Sequence, residues 1–381
     1  MTRLEFILAA AALRVLGWLF ARLPGRPRTV VLASPRKRVL DGNLEHLERA
    51  IRAERPDLHR VPLPEPYSYG LLGKLGYALR MVRGMYHLRT AGLVVVDNAW
   101  LPVHVAPHPK RTTVVQVWHA TGALKRFGVD AVPPPHEPER TFLHRHYDWV
   151  VASGEASREP WSRALRTPLD RVVALGAPRT DLFFDADALA AARLRMLTTY
   201  PALRARRVIT FAPTFRGRGR GKRPTAHLDA GRLRGALEPT DVLVLKSHPN
   251  LDRTLVDLAG FDVVVDPAAD MNDLLAATDI LITDYSSSIF EYALLRRPLV
   301  LLVPDLEDYE RQPGLYLDYR TGMIGTQVAD TDGVIAAIRG GTFDLAPYDA
   351  FIARHLGVSD GSASRRFVER FAPRQGRAAR P

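Results

Sequence analysis

Residues 280–291 read ILITDYSSSIFE, and the order of these letters decides the fold class. An apolar run with the character of a buried strand ends at Asp284. Three serines follow, then a segment with Glu291 and Tyr292 that reads as a helix. A strand passing into a helix through a polar elbow is the repeating unit of a parallel sheet covered by helices. Ser286, Ser287 or Ser288 is placed to cap that helix, with backbone N–H groups pointing out of its N-terminus. Such an end suits a phosphate, helped by the helix dipole. Capping needs one hydroxyl, so a run of three favours a phosphate role over capping alone.

The same alternation continues on both sides. Strands are predicted at 29–33, 93–97, 113–118, 149–153 and 172–175, then at 208–212, 242–246, 263–265, 280–283 and 299–303. Helices are predicted at 42–54, 71–88, 155–165, 271–277, 286–296, 332–339 and 347–372, with an Ala/Leu/Arg-rich linking helix in 185–206. With 381 residues the chain is too long for one ordinary core and suits two α/β domains. The expected class is α/β, with two Rossmann-like domains facing a central cleft, where open α/β sheets bind ligands at their strand ends. The expected boundaries are an N-terminal amphipathic segment at 1–28, a first domain at 29–185, the linker at 186–206, a second domain at 207–372 and a basic tail at 373–381. No internal repeat is evident. The segments 133–135 and 216–223 read as loops. The latter, RGRGRGKR, is either a phosphate-binding lid or a solvated surface loop.

Cysteine is absent, which excludes disulfides, thiolate metal sites and a cysteine nucleophile. The net charge is +12, and residues 1–90 hold 16 Lys/Arg against 7 Asp/Glu. Six more arginines lie between 365 and 380, against Glu369 alone. A phosphate-rich substrate, an anionic membrane or nucleic acid would each attract such a chain. RGRGRGKR lacks the interleaved aromatics of a nucleic-acid binder, so no nucleic-acid partner is expected.

Residues 6–21 are apolar except for Arg14. A helix of that length is short for a hydrocarbon core of ~30 Å, and Arg14 sits badly at its centre. Residues 71–90 combine an apolar face of leucines with Lys74, Arg80, Arg83 and Arg89. Both segments suit peripheral attachment to an anionic membrane surface rather than spanning.

Four further clusters follow predicted strands. His119 stands in VQVWHATGALKRFG, with Lys125 and Arg126 beyond it; histidine is the usual general base near neutral pH. His248 stands in VLVLKSHP beside Lys246, where a cation suits a diphosphate leaving group. FAPTFR supplies Thr214 and Arg216, and GAPRTD supplies Arg179 and Asp181. Each piece alone is compatible with turn chemistry; their recurrence at successive strand ends is the functional signal. The chain has no G-x-x-x-x-G-K-[ST], no G-x-G-x-x-G after the first strand and no H-E-x-x-H. These absences weigh against a P-loop NTPase, a dinucleotide oxidoreductase and a zinc hydrolase.

The set Trp118-His119, Gly176 to Asp181, Ala212 to Arg216, His248-Pro249 and Leu281 to Ser287, with Pro298, Asp305 and Tyr309 downstream, resembles the CDP-glycerol glycerophosphotransferase family. The resemblance covers roughly residues 92–320. It implies a GT-B-type fold with monotopic attachment at the cytoplasmic face of the membrane. It also implies transfer of a polyol phosphate from CDP-glycerol or another CDP-polyol to a hydroxyl of a lipid-linked acceptor, with release of CMP. By position, His119 resembles the family's base and His248 the histidine near the donor diphosphate. Ser286, Ser287 and Ser288, with Thr214, Arg216 and Lys246, are expected at the donor phosphates. Asp284, Glu291, Lys125, Arg179 and Asp181 are expected elsewhere in the cleft. No cofactor is implied beyond the nucleotide-linked donor, and no residue is assigned to a metal. Ala120 departs from the glycine usual after the histidine, and Gln312-Pro313-Gly314 departs from an Arg-Gly pattern. The nearest rival is a GT-B glycosyltransferase using a sugar nucleotide in capsule or cell-wall glycan synthesis. A non-catalytic, membrane-bound binder of nucleotides or polyanions is a more distant one.

Overall fold

The computed structural model describes residues 3–35, 38–66, 70–131, 143–217, 222–225, 227–248 and 257–373. The expected loop at 133–135, half of RGRGRGKR (218–221), Pro249 and nearly all of the basic tail lie outside the described residues. Contacts divide the chain into two units. One comprises residues 1–120, 126–181 and 357–381, the other residues 121–125 and 182–356. The chain therefore crosses between units directly after His119 and Ala120, and returns at Arg126.

The first unit holds six parallel strands: β1 (Arg26–Ser34), β2 (His59–Pro64), β3 (Ala91–Val96), β4 (Thr113–Gln116), β5 (Trp149–Ala152) and β6 (Val172–Ala174). Their spatial order is β2-β1-β3-β4-β5-β6. Strand order reverses between β1 and β3, the flavodoxin-like pattern. Helices α1 (Arg3–Phe20), α2 (Gly42–Glu54), α3 (Leu71–Thr90), α4 (Leu101–Val105) and α5 (Arg158–Ala164) accompany them. The strands read as near-continuous Val/Leu runs because both faces are covered. One face packs Val31, Val94 and Val96 with Met81, Met85 and Leu88 of α3. The other packs Val30, Leu32 and Val95 with Leu44, Leu47 and Ile51 of α2.

The second unit contains α6 (Ala186–Thr199), β7 (Arg207–Ala212), α7 (Ala230–Ala236), β8 (Asp241–Leu245), β9 (Val263–Val264), α8 (Met271–Ala277), β10 (Ile280–Thr283), α9 (Ser288–Ala293), β11 (Leu299–Leu302), α10 (Leu306–Arg311), α11 (Tyr319–Gly322), β12 (Thr326–Val328), α12 (Thr331–Gly340) and α13 (Pro347–Leu356). Its strands are all parallel, in the order β12-β11-β10-β7-β8-β9. Renumbered from β7, this is the 3-2-1-4-5-6 order of the dinucleotide fold, with its reversal between β7 and β10. The expected linker helix belongs to this unit: α6 lies on α8, and Arg195 pairs with Asp273 through Nε at 2.8 Å.

The last helix, α14 (Ala363–Phe371), does not continue α13. Gly361 adopts φ +81° in the break, a conformation that favours glycine. Phe367 and Val368 enter the first unit's core beside Leu44 and Ile51. The second half expected at 207–372 thus ends in space at Leu356. The cause is the reversal at 357–362, which a continuous helical pattern conceals.

Candidate functional site

In the first unit the chain leaves β4 through a strained turn. Trp118 holds φ +50°, uncommon for a bulky residue and sustained only where the surroundings over-determine it. The restraints are visible. The Trp118 amide donates to Gln116 Oε1 at 2.8 Å. Asn43 Nδ2 donates to the carbonyls of Val117 at 3.2 Å and Trp118 at 2.9 Å. The Trp118 ring stacks on Phe127, centroids 4.7 Å apart. Arg179 closes the arrangement: its amide donates to Asn43 Oδ1 at 3.1 Å, and its Nη1 donates to the His119 carbonyl at 2.8 Å. The His119 backbone is thus fixed from both sides, and its half-buried ring lies 4.4 Å from that of Trp118. Arg179 serves here as a brace for the histidine. Asp181 is a helix cap: its two oxygens accept the amides of Ala363 and Ser364 at 2.9 Å each, at the start of α14.

In the second unit the ends of β7 and β10, the two strands at the reversal, carry the FAPTFR and TDYSSS segments. Asp284 is buried and accepts the Thr214 amide at 2.8 Å, the Thr214 hydroxyl at 2.9 Å and Arg216 Nη1 at 2.9 Å. Arg216 also donates through Nε and Nη2 to Asp305, at 2.6 and 3.1 Å. Tyr285 donates to Asp305 Oδ1 at 3.0 Å and stacks on Tyr309 at 3.7 Å. Burial alone would lower the Arg216 pKa; its bonds to Asp305 and Asp284 outweigh that and raise it. Arg216, Thr214 and Asp284 therefore form an internal brace, and the guanidinium expected at the donor phosphate is committed to two carboxylates. Lys246 differs from expectation in the same way. An ammonium has three donors, and Nζ spends them on the carbonyls of Asp266, Pro267 and Ala269 at 2.7, 2.9 and 2.8 Å.

The serines behave differently. Ser287 occupies the N-cap of α9 without a side-chain capping bond. Ser286 and Ser288 share a hydroxyl–hydroxyl bond of 2.7 Å. The Ser288 amide also donates to Ser286 Oγ at 3.3 Å, so Ser286 is engaged by the start of the helix. The half-buried His248 ring packs edge-on against Phe215, 4.7 Å between centroids.

Residues 121–125 are also part of this unit. Thr121 donates to Glu291 Oε1 at 2.7 Å, both buried. Lys125 pairs antiparallel with Leu315 through the backbone, and its Nζ lies 5.7 Å from the Tyr309 ring centre. Burial lowers the Lys125 pKa to about 8, with Asp284 opposing and Arg216 adding to the shift. Sequence reasoning missed Asn43, Gln116, Asp305 as the partner of Arg216, and Thr121. An Asn opening a helix after a strand was the available signal for the first; the others depend on tertiary pairing. Among the described residues, no group of three or more His, Cys, Asp or Glu side chains is placed to hold a metal ion.

Residues 18–372 match the family model described as CDP-glycerol:poly(glycerophosphate) glycerophosphotransferase. The chain belongs to this glycerophosphotransferase family. It is 32% identical to the teichoic acid ribitol-phosphate primase of Bacillus spizizenii, covering 92% of each chain. It is 31% identical to the teichoic acid poly(ribitol-phosphate) polymerase of the same organism, over 92% of this chain but 57% of that protein. Among solved structures, the wall teichoic acid polymerase TagF superposes with a TM-score of 0.74 at 21% identity, covering 97% of each chain. That likeness establishes the GT-B-like fold with two parallel-sheet domains. No helix among the described residues is long and apolar enough to cross a membrane.

Proposed function

We propose that this glycerophosphotransferase-family protein moves a polyol phosphate from a CDP-linked donor to a hydroxyl of a lipid-linked teichoic-acid acceptor. The observation that carries the reading is the family match across residues 18–372. In the reaction the acceptor oxygen bonds to the polyol-bearing phosphorus. The bond from that phosphorus to the bridging oxygen breaks, and CMP leaves with the electron pair. The acceptor proton passes to the His119 imidazole. A backbone held by Asn43 and Arg179 supports this role, because a base must be positioned before its pKa matters. The Ser286–Ser288 turn and His248 meet the phosphate oxygens, and stabilisation of that developing charge is the larger catalytic term. Arg216, Thr214, Asp284 and Lys246 hold these loops in place. The protein works as a peripheral protein at the inner membrane face, with α1 and α3 as its attachment.

CMP release by the purified protein tests the reading, with CDP-glycerol, CDP-ribitol and UDP-sugars offered beside a lipid-diphosphate disaccharide acceptor. Release of CMP from a CDP-polyol, reduced ~10²–10⁴-fold in His119→Ala, is the expected result. Release of UDP from a UDP-sugar, with both CDP-polyols inert, would move the protein to the glycosyltransferase reading.

A further inference from the structure

Helices α1 and α3 pack on each other within the first unit. Ala10 and Leu13 of α1 are buried against the α3 side that carries Met81 and Met85. Other large apolar residues of the two helices are exposed, among them Leu8 61%, Trp18 58%, Leu72 84%, Leu75 60% and Leu79 64%. So many large apolar side chains on two adjoining helices exceed the scattered exposure ordinary for a soluble surface.

Between the helices lies a pocket of about 220 Å³. Small residues open it: Ala9 and Ala12 on α1, Ala78 on α3. Leu16, Tyr77 and Val82 line it, and the exposed Lys74 stands at its rim. It is larger than the ~150 Å³ apolar cavity that suffices for benzene. Among the described residues, Lys74 is the one charged side chain in its lining. No Asp or Glu occurs at 6–40 or 66–96, whereas Arg14, Arg22, Lys74, Arg80 and Arg83 fall within those stretches. An apolar slot with a cation at its rim complements an amphiphile with a hydrocarbon chain and an anionic head.

We infer that the α1–α3 groove takes up one hydrocarbon chain of an anionic membrane lipid, the headgroup lying against Lys74. This rests on the membrane reading above and goes beyond it, since peripheral attachment requires only the outward leucines. The attachment surface then has two parts: outward residues that enter the leaflet, and a slot that withdraws a single chain from it.

The test uses the full chain with vesicles of phosphatidylcholine and phosphatidylglycerol, the latter carrying a photoreactive diazirine in its acyl chain. After irradiation, adducts are mapped by peptide mass spectrometry. Adducts are expected on Leu16, Tyr77 and Val82 in the unaltered protein. They should fall at least fivefold in Ala12→Phe and Ala78→Phe, which fill the slot from opposite walls at exposed positions. In both variants, vesicle sedimentation and adducts on Leu75, Leu79 and Trp18 should persist. Adducts confined to those outward residues, unchanged by either variant, would overturn the slot and leave the membrane reading standing. Absence of both sedimentation and adducts would overturn the two together. A dimer in light scattering that dissociates in Leu75→Glu would show instead that a second copy covers this face.

Discussion

Gly122 offers a sharp test of how the crossing segment is held. Its φ is +69°, and a Cβ at this position would lie 2.5 Å from two ring carbons of Phe290. Carbon atoms rest ~3.5–4.0 Å apart, so the ring would have to yield by about 1 Å or more. It has little room: Phe290 is fully buried, with Phe351 at 5.3 Å and His355 at 5.6 Å. In Gly122→Ala the left-handed conformation costs ~1–2 kcal/mol and the overpacking another ~1–3 kcal/mol. A total of about 2–5 kcal/mol is expected. The steric part belongs to the ring, so Phe290→Leu in the same chain should recover ~1–3 kcal/mol of coupling while the backbone part persists. All five tryptophans, Trp18, Trp100, Trp118, Trp149 and Trp161, lie in the first unit, so their fluorescence does not report this loss. Native-state hydrogen exchange of the amides at 121–125 and 288–293 does. Additive single-variant effects, or a loss below ~0.5 kcal/mol, would refute the close packing of Gly122 on Phe290.

Further outcomes follow from other sites. Glu65 is buried with Trp100 Nε1 donating to it at 3.3 Å; burial raises its pKa from 4.5 to about 7. The folded state therefore binds the extra proton, and the stability this gives is lost as pH rises from 4.5 through 7, by on the order of 3 kcal/mol. Tryptophan-monitored unfolding should show that slope in the parent and not in Glu65→Gln; equal slopes would refute it. Lys246→Met should strip three carbonyls of their donor and loosen 263–270 by about 2–4 kcal/mol, read by exchange. If stability is unchanged and the donor KM rises instead, Lys246 contacts phosphate after all. Phe367→Ala should destabilise the first unit by ~3–5 kcal/mol; a loss confined to the second unit would contradict the docking of α14.

The central strands were legible because burial on both faces writes itself as unbroken apolar runs. The helices at 42–54 and 271–277 coincide with α2 and α8, where an amphipathic pattern and clear ends agree. β2 was missed: HRVPLP carries two prolines and alternates in burial, as an edge strand does. β12 was missed because three residues, all half-buried, give no pattern. The candidate site was legible as a set of segments, since polar residues just past buried strands stand out. The division of labour within it was not. Whether Arg216 or Lys246 faces a phosphate or a neighbouring carboxylate or carbonyl depends on Asp305, Asp266, Pro267 and Ala269, far along the chain. The strain at Trp118 is likewise a backbone property that side-chain identity does not disclose.

The return of the chain to the first unit at Gly357 bears on how the protein is made. A ribosome completes all six strands of the first sheet before residue 180, yet Phe367 and Val368, which seal the face formed by Leu44 and Ile51, are still some 190 codons away. At ~5–20 residues per second, the nascent first unit waits about 10–40 seconds with the side of α2 that packs against α14 uncovered. The whole second unit emerges in that interval. Its own sheet can close without any later segment, so the unit translated second is the one able to finish folding first.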